Sequence, residues 1–300
     1  MLICDTHCDT LYALGVQNNP NPDVTPEKLR AGGVSLQCMA LWTGRKGLAG
    51  DYQGIVCQEL QALAQLNEQG YIQVDDPSQA QEGQLSILLT VEGGEVFEAG
   101  LETIPFWREK GVRMAALTWN NPNRIGFPAK GNYSQGLTEY GVAAVKEMQR
   151  LGIAVDTSHL NEQGFYDLFQ KTHKPPMASH SCCRALCDHP RNLTDQQLKL
   201  LIANGGYVGV NFYPAFLTDD TDECSLHDVV FHIDHICQLG GARHVGFGSD
   251  FDGIELYPKG LRDPRDLPRL LEALSKRGYT QQDIEAIAGQ NLLDYFRRIS

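Results

Sequence analysis

Gly152-Ile153-Ala154-Val155-Asp156-Thr157-Ser158-His159-Leu160-Asn161 reads as one complete step of a repeating unit. A glycine releases the chain from the amphipathic stretch Leu137–Leu151, and a short apolar run of strand type follows over Ile153–Asp156. A polar tip then ends in a histidine, and Asn161 starts the next helix, Asn161–Lys171, as a capping residue. Helix, glycine, strand, polar tip and capped helix together make a βα unit of a parallel sheet.

The same grammar recurs outward in both directions. Strands are expected near Leu2–Thr6, Val34–Leu41, Leu85–Glu92, Val112–Leu117, Ile153–Asp156, Pro176–His180, Tyr207–Asn211 and Val245–Asp250. Helices are expected at Tyr52–Gln69, opening after Asp51 as a cap, and at Asp195–Asn204. Eight strands alternating with helices are what a closed (β/α)8 TIM barrel needs. Leu267–Ile299 adds two C-terminal helices, with Thr280 capping the second. The open doubly wound sheet is the competing α/β architecture, but no Gly-x-Gly-x-x-Gly follows the first strand. Asn120–Gly136, rich in Gly, Pro and Asn, reads as one long barrel loop, so residues 1–300 are expected to form a single domain.

Composition narrows the partners. With 25 basic against 37 acidic residues the chain carries a formal charge of −12, which argues against nucleic acid and anionic membranes and favours a small-molecule substrate. Met1-Leu2-Ile3-Cys4-Asp5 runs directly into polar residues without a secretory pattern, and no apolar run reaches the length of a membrane span. The chain ends at Arg297-Arg298-Ile299-Ser300 without an apolar anchor signal. Nine cysteines, an odd number without zinc-finger or disulfide-framework spacing, fit reduced thiols and a cytoplasmic location.

In such a barrel the C-terminal ends of the strands share one mouth, so the residue types there report the chemistry. The expected ends carry His7-Cys8-Asp9, Glu92-Gly93-Gly94, Asp156-Thr157-Ser158-His159, Ser179-His180-Ser181 and Asp250-Phe251-Asp252-Gly253. On an extended strand His7 and Asp9 emerge on the same face and Cys8 on the other. A lone His-x-Asp is weak, because such pairs more often hydrogen-bond each other as buried structural groups. His159 and His180, at the ends of neighbouring strands, turn it into a candidate metal site, with Glu92 placed to share its two oxygens between ions. His227, His232 and His235, on one expected helix, read instead as a solvated helix surface outside the site.

At these residues the chain resembles the membrane dipeptidase family, a branch of the amidohydrolase-type metal-dependent barrels. The likeness runs nearly end to end and includes Pro190-Arg191-Asn192, Val210-Asn211-Phe212-Tyr213 and Gly246-Phe247-Gly248-Ser249-Asp250-Phe251-Asp252-Gly253. The resemblance implies a metallo-dipeptidase with two zinc ions per chain, the first on His7, Asp9 and Glu92 and the second on Glu92, His159 and His180. A water bridging the two ions would cleave the peptide bond of a small dipeptide. Arg191 would grip the substrate carboxylate, Asp250 would carry the proton with Asp252 as its rival, and Tyr213 and Trp119 would touch substrate. A bland reading of Arg191 is a surface pair with Asp188 or Asp195. A homodimer would also suit the family.

One position departs from the pattern. The family has Leu-Thr-His after the fourth strand, and this chain has Leu117-Thr118-Trp119-Asn120. An indole donates one hydrogen bond but takes no proton and carries no charge. The departure leaves open another small amide, a lactam or an N-acyl amino acid as substrate, with a non-catalytic binding barrel as the reading outside enzymes. Preferred dipeptide, tolerance of D-residues and the choice among zinc, manganese and iron are not legible, since His and carboxylate ligands suit several ions.

Overall fold

The computed structural model describes residues 1–44 and 52–300. The eight barrel strands, numbered in chain order, are β1 (Ile3–Asp5), β2 (Val34–Trp42), β3 (Ser86–Glu92), β4 (Val112–Ala116), β5 (Ala154–Asp156), β6 (Met177–Ala178), β7 (Tyr207–Val210) and β8 (Val245–Phe247). Every expected strand is present, most of them shorter than expected, because the polar tips leave the ladder. A further two-residue strand, Ile72–Gln73, pairs with the start of β3. It is too short to leave a pattern in the sequence.

All pairings are parallel, and the ring runs β2-β1-β8-β7-β6-β5-β4-β3 before β3 returns to β2. Seven consecutive residue pairs, Leu36↔Ser86 to Trp42↔Glu92, make that closing seam and exclude the open sheet. A closed parallel barrel buries both faces of its strands, and β2 is buried from Val34 to Leu41.

Local chemistry sets the helix boundaries. Thr138 accepts a hydrogen bond from the Gly141 N–H, so the helix expected from Leu137 spans Glu139–Arg150. Gly152 (φ 70°) turns the chain from that helix into β5. Asn161 caps Glu162–Lys171, and Thr194 closes a capping box on Asp195–Ala203. The helix expected after Asp51 spans Tyr52–Glu68, while Asp51 itself lies outside the described residues. Asn120–Gly136 runs without helix or strand, as expected of a long loop.

The C-terminal helices plug the end of the barrel opposite the mouth. Thr280 caps the second of them as expected, but the run is interrupted by a π turn at Ala286–Gln290. There Gly289 lies against the start of β1, where a Cβ would fall 2.7 Å from the Leu2 carbonyl oxygen. Beyond it Leu292, Tyr295 and Phe296 pack on Cys4, Leu36, Met114, Met177 and Tyr207 from inside the barrel. Each fully buried large apolar side chain contributes roughly 1.5–3 kcal/mol, so this plug holds the strands whose other ends carry the site.

Candidate metal centre

His7 and Asp9 follow β1 on one face, and Cys8 turns away into the core with no exposed surface. Glu92 is the last residue of β3, His159 follows β5, His180 follows β6, and Asp250 follows β8. All six side chains meet in the mouth. Oε1 of Glu92 lies 2.9 Å from His159 Nε2, 3.4 Å from His180 Nε2 and 3.8 Å from His7 Nε2. His7 Nε2 is also 3.5 Å from Asp9 Oδ2 and 3.7 Å from Asp250 Oδ1.

Among the described residues, two groups have ligand atoms within 4.8 Å of one another, His7 with Glu92 and His180, and His7 with Asp9 and Asp250. The grouping differs from the two sets the resemblance implies. His7 belongs to both groups, Asp250 joins Asp9, and His159 stands outside both while approaching the same Glu92 oxygen. The His7 and His180 rings stack at 3.9 Å, which brings both imidazoles to the same carboxylate oxygen.

The hydrogen bonds around the histidines fix which ring nitrogen is bare. Ser179 donates its hydroxyl to Asp156 Oδ2 at 2.5 Å, so its oxygen accepts from His180 Nδ1–H at 2.7 Å. His180 Nε2 therefore carries a lone pair, and it has no hydrogen-bond partner. The Asn120 side-chain oxygen, 3.2 Å from His159 Nδ1, places the proton there in the same way. A bare nitrogen 2.9 Å from a carboxylate oxygen is repulsive unless a proton or a metal cation is shared between them. His7 Nε2 and Asp9 Oδ1 are likewise buried without a hydrogen-bond partner. This donor set, imidazole nitrogens and carboxylates with outer partners in place, fits divalent metal.

Charge points the same way. Burial pushes Glu92 well above the usual carboxylate range, and repulsion from Asp9 adds to it. Burial alone would depress His7, but Glu92, Asp9 and Asp250 together lift it to about 10. His159 and His180 are held well below the usual imidazole range, first by burial and then by Arg191 and His7 respectively. Burial also pushes Asp250 up to about 6, against the opposing pull of His7. Three clustered carboxylates under these conditions call for positive charge.

The rest of the mouth is a cleft of about 410 Å³ lined by Arg191, Tyr213, Trp119 and Trp42 among others. Arg191 is 6% exposed and lies under the Phe216 ring, 5.4 Å from guanidinium to centroid. It donates to the His180 carbonyl (3.3 Å) and to Ser181 Oγ (3.5 Å), and its Nε has no partner. The surface pair with Asp188 or Asp195 does not form, and Asp195 instead bonds His235 at 2.7 Å. Tyr213 donates its hydroxyl to Glu255 at 3.3 Å. Asp252 accepts from Thr10 and from the backbone of Asp23 and Val24, which ties it to a neighbouring loop. Asp250 offers Oδ1 to the cluster, while its Oδ2 accepts from Asn211 Nδ2 at 2.9 Å.

His159 (φ 68°) and Asp250 (φ 65°) adopt left-handed backbone that non-glycine residues seldom do. The turns that aim them into the mouth thus carry strain of about 1–3 kcal/mol each. The expectation for His232 needs correction. It is buried, accepts from the Cys183 N–H at Nδ1 and hydrogen-bonds the Leu217 carbonyl through Nε2, so it is a core residue and not a solvated one. Burial accordingly lowers it to about 4.

Asp5 and Asp156 had drawn no role from the sequence. Each ends its strand and accepts both the N–H and the hydroxyl of a serine on the adjacent strand end, Ser249 and Ser179. An acid closing an apolar run, with a Ser beside the next candidate ligand, is the pattern that could have found them. Ser179→Ala should leave the fold intact and lower metal affinity by roughly 10–100-fold, measured by competition with a chromophoric chelator. Unchanged affinity would leave Ser179 a packing residue.

The whole chain, residues 1–300, matches the family model for membrane dipeptidases, peptidase family M19. It is 37% identical over 224 residues to an uncharacterized protein of Klebsiella pneumoniae, a match covering 72% of this chain and 82% of that protein. It is 39% identical over 215 residues to the dipeptidase aclJ of Aspergillus oryzae, covering 70% of this chain and about half (51%) of the relative. Among solved structures, a metallopeptidase of Rhodobacter sphaeroides liganded with a phosphinate mimic of L-Ala-D-Ala superposes with a TM-score of 0.91 at 25% identity, over 100% of this chain and 99% of that one. On this match, the chain belongs to the membrane dipeptidase family, the metallopeptidases of family M19.

Proposed function

We propose that the protein hydrolyses dipeptides with two zinc ions, one held by His7, Asp9 and Glu92 and the other by Glu92, His159 and His180. The observation that carries this reading is the joint placement, in one small cleft, of the Glu92-centred cluster and a buried arginine with no carboxylate partner among the described residues. When bound, the ions supply Lewis acidity toward the scissile carbonyl and lower the pKa of water.

The chain's own groups do the rest. Arg191 presents a planar fork to the substrate carboxylate, and its burial strengthens that pairing while stopping a longer peptide from passing. Asn211 holds Oδ2 of Asp250, which leaves Oδ1 to take the proton of the attacking water and deliver it to the leaving amine. The small cleft suits a dipeptide better than a protein segment. A cytoplasmic location is part of the reading and is supported by nine free cysteines. A homodimer rests on family likeness alone. No described helix is long and apolar enough to cross a membrane.

Arg191→Ala tests the substrate assignment. It should lower kcat/KM for a dipeptide by roughly 10–100-fold, mainly through KM, the scale of a lost charged hydrogen bond. The corresponding dipeptide amide, which lacks the carboxylate, should lose much less. Equal losses on both substrates would remove Arg191 from carboxylate recognition. Metal-loaded protein that leaves every dipeptide intact would move the reading to another small amide, a lactam or an N-acyl amino acid, the substrate change that Trp119 leaves open.

A further inference from the structure

Two indoles stand over the cluster where one imidazole was expected. Trp42 is the last residue of β2 and Trp119 lies just beyond β4, so the pair straddles β3 and its terminal Glu92. Their rings meet edge to face, with centroids 4.9 Å apart at 89°. Tyr12 extends the wall against Trp42 at 4.6 Å and 73°. All three rings are partly exposed and line the cleft.

The wall is held in place from behind. The Trp119 side chain lies on Gly44, where a Cβ would fall 2.8 Å from the ring, and Asn121 donates to the Gly44 carbonyl. The Trp42 backbone N–H donates to the buried Glu59 side chain at 3.0 Å, which fixes the strand end that carries the indole. Such a rigid aromatic surface favours an apolar side chain and loses little entropy on contact.

Ring order says which side chain. In the closed barrel β2 lies four strands from β6, directly across the mouth. Arg191 sits on the loop after β6, so a dipeptide anchored there by its carboxylate extends across the cluster toward Trp42. We propose that Trp42 and Trp119, continued by Tyr12, form the subsite for the amino-terminal side chain and select dipeptides in which that side chain is large and apolar. The proposal rests on the dipeptidase reading above.

The experiment compares kcat/KM for Gly-Ala, Leu-Ala and Phe-Ala on zinc-loaded wild type, Trp42→Ala and Trp119→Ala, with quenching of tryptophan fluorescence by the same dipeptides after chelation as a second readout. Wild type should prefer Phe-Ala over Gly-Ala by about 10–200-fold, the discrimination an apolar pocket provides. Each variant should collapse that ratio toward unity, and quenching should be stronger for Phe-Ala than for Gly-Ala. Cleavage of all three with a ratio near one, or a ratio untouched by both variants, would overturn the subsite while leaving the dipeptidase reading intact. Absence of any cleavage with unselective quenching would overturn both.

Discussion

Glu92→Gln is expected to release both ions and to cut turnover by more than about 10³-fold, beyond the ~10–100-fold that loss of an outer partner brings. Among the described residues, Glu92 is the one carboxylate within 4 Å of the Nε2 atoms of His7, His159 and His180 together. Glutamine keeps its shape and removes its charge, so the ions lose the anion that offsets their mutual repulsion. The fold should not suffer. Burial and the repulsion of Asp9 and Asp250 outweigh the attraction of His7 for the Glu92 charge, and a neutral amide relieves that net cost. Under chelation the variant should therefore melt at or above the temperature of wild type. Metal analysis and thermal melts on the same samples check both halves. Full metal content in the variant would remove Glu92 as the shared ligand, and early melting would mean that it acts through the fold.

Asp250→Asn should retain both ions and lose turnover by roughly 10²–10⁴-fold, the contribution of a positioned acid–base group. Asparagine tolerates the left-handed backbone at this position (φ 65°), so the turn survives. Its side-chain oxygen can still accept from Asn211, but an amide takes up no proton from water. The competing assignment is specific, since Asp250 Oδ1 also stands with His7 and Asp9 in a ligand-like group. Loss of one ion together with turnover would make Asp250 a ligand. Burial pushes its carboxyl up to about 6, and cations in the cluster would draw it back down.

The barrel was legible because each βα unit repeats the same punctuation. Gly152 and Asn161 bracket β5 with a release and a cap, and the mouth follows once eight strands are counted. The placement of the candidate site residues was legible for the same reason, since His7, Asp9, Glu92, His159, His180 and Asp250 all sit at or just after strand ends. What the sequence withheld depends on neighbours distant along the chain. Asp156 fixes the His180 tautomer only through Ser179, and Trp42 becomes a wall only because β2 closes on β3. His232 was misread because helical spacing alone does not show that its flanks are Cys183 and Leu217. The π turn at Ala286–Gln290 leaves no local pattern, as the tertiary fit of Gly289 against Leu2 imposes it.

The most direct measurement is zinc content per chain together with hydrolysis of L,L- and L,D-dipeptides, before and after chelation and again after zinc is restored. Two zinc ions per chain, with cleavage lost on chelation and recovered on restoration, is the predicted result. Purified, folded protein that binds no metal after zinc is added back would contradict the centre built on Glu92 and the hydrolytic reading with it.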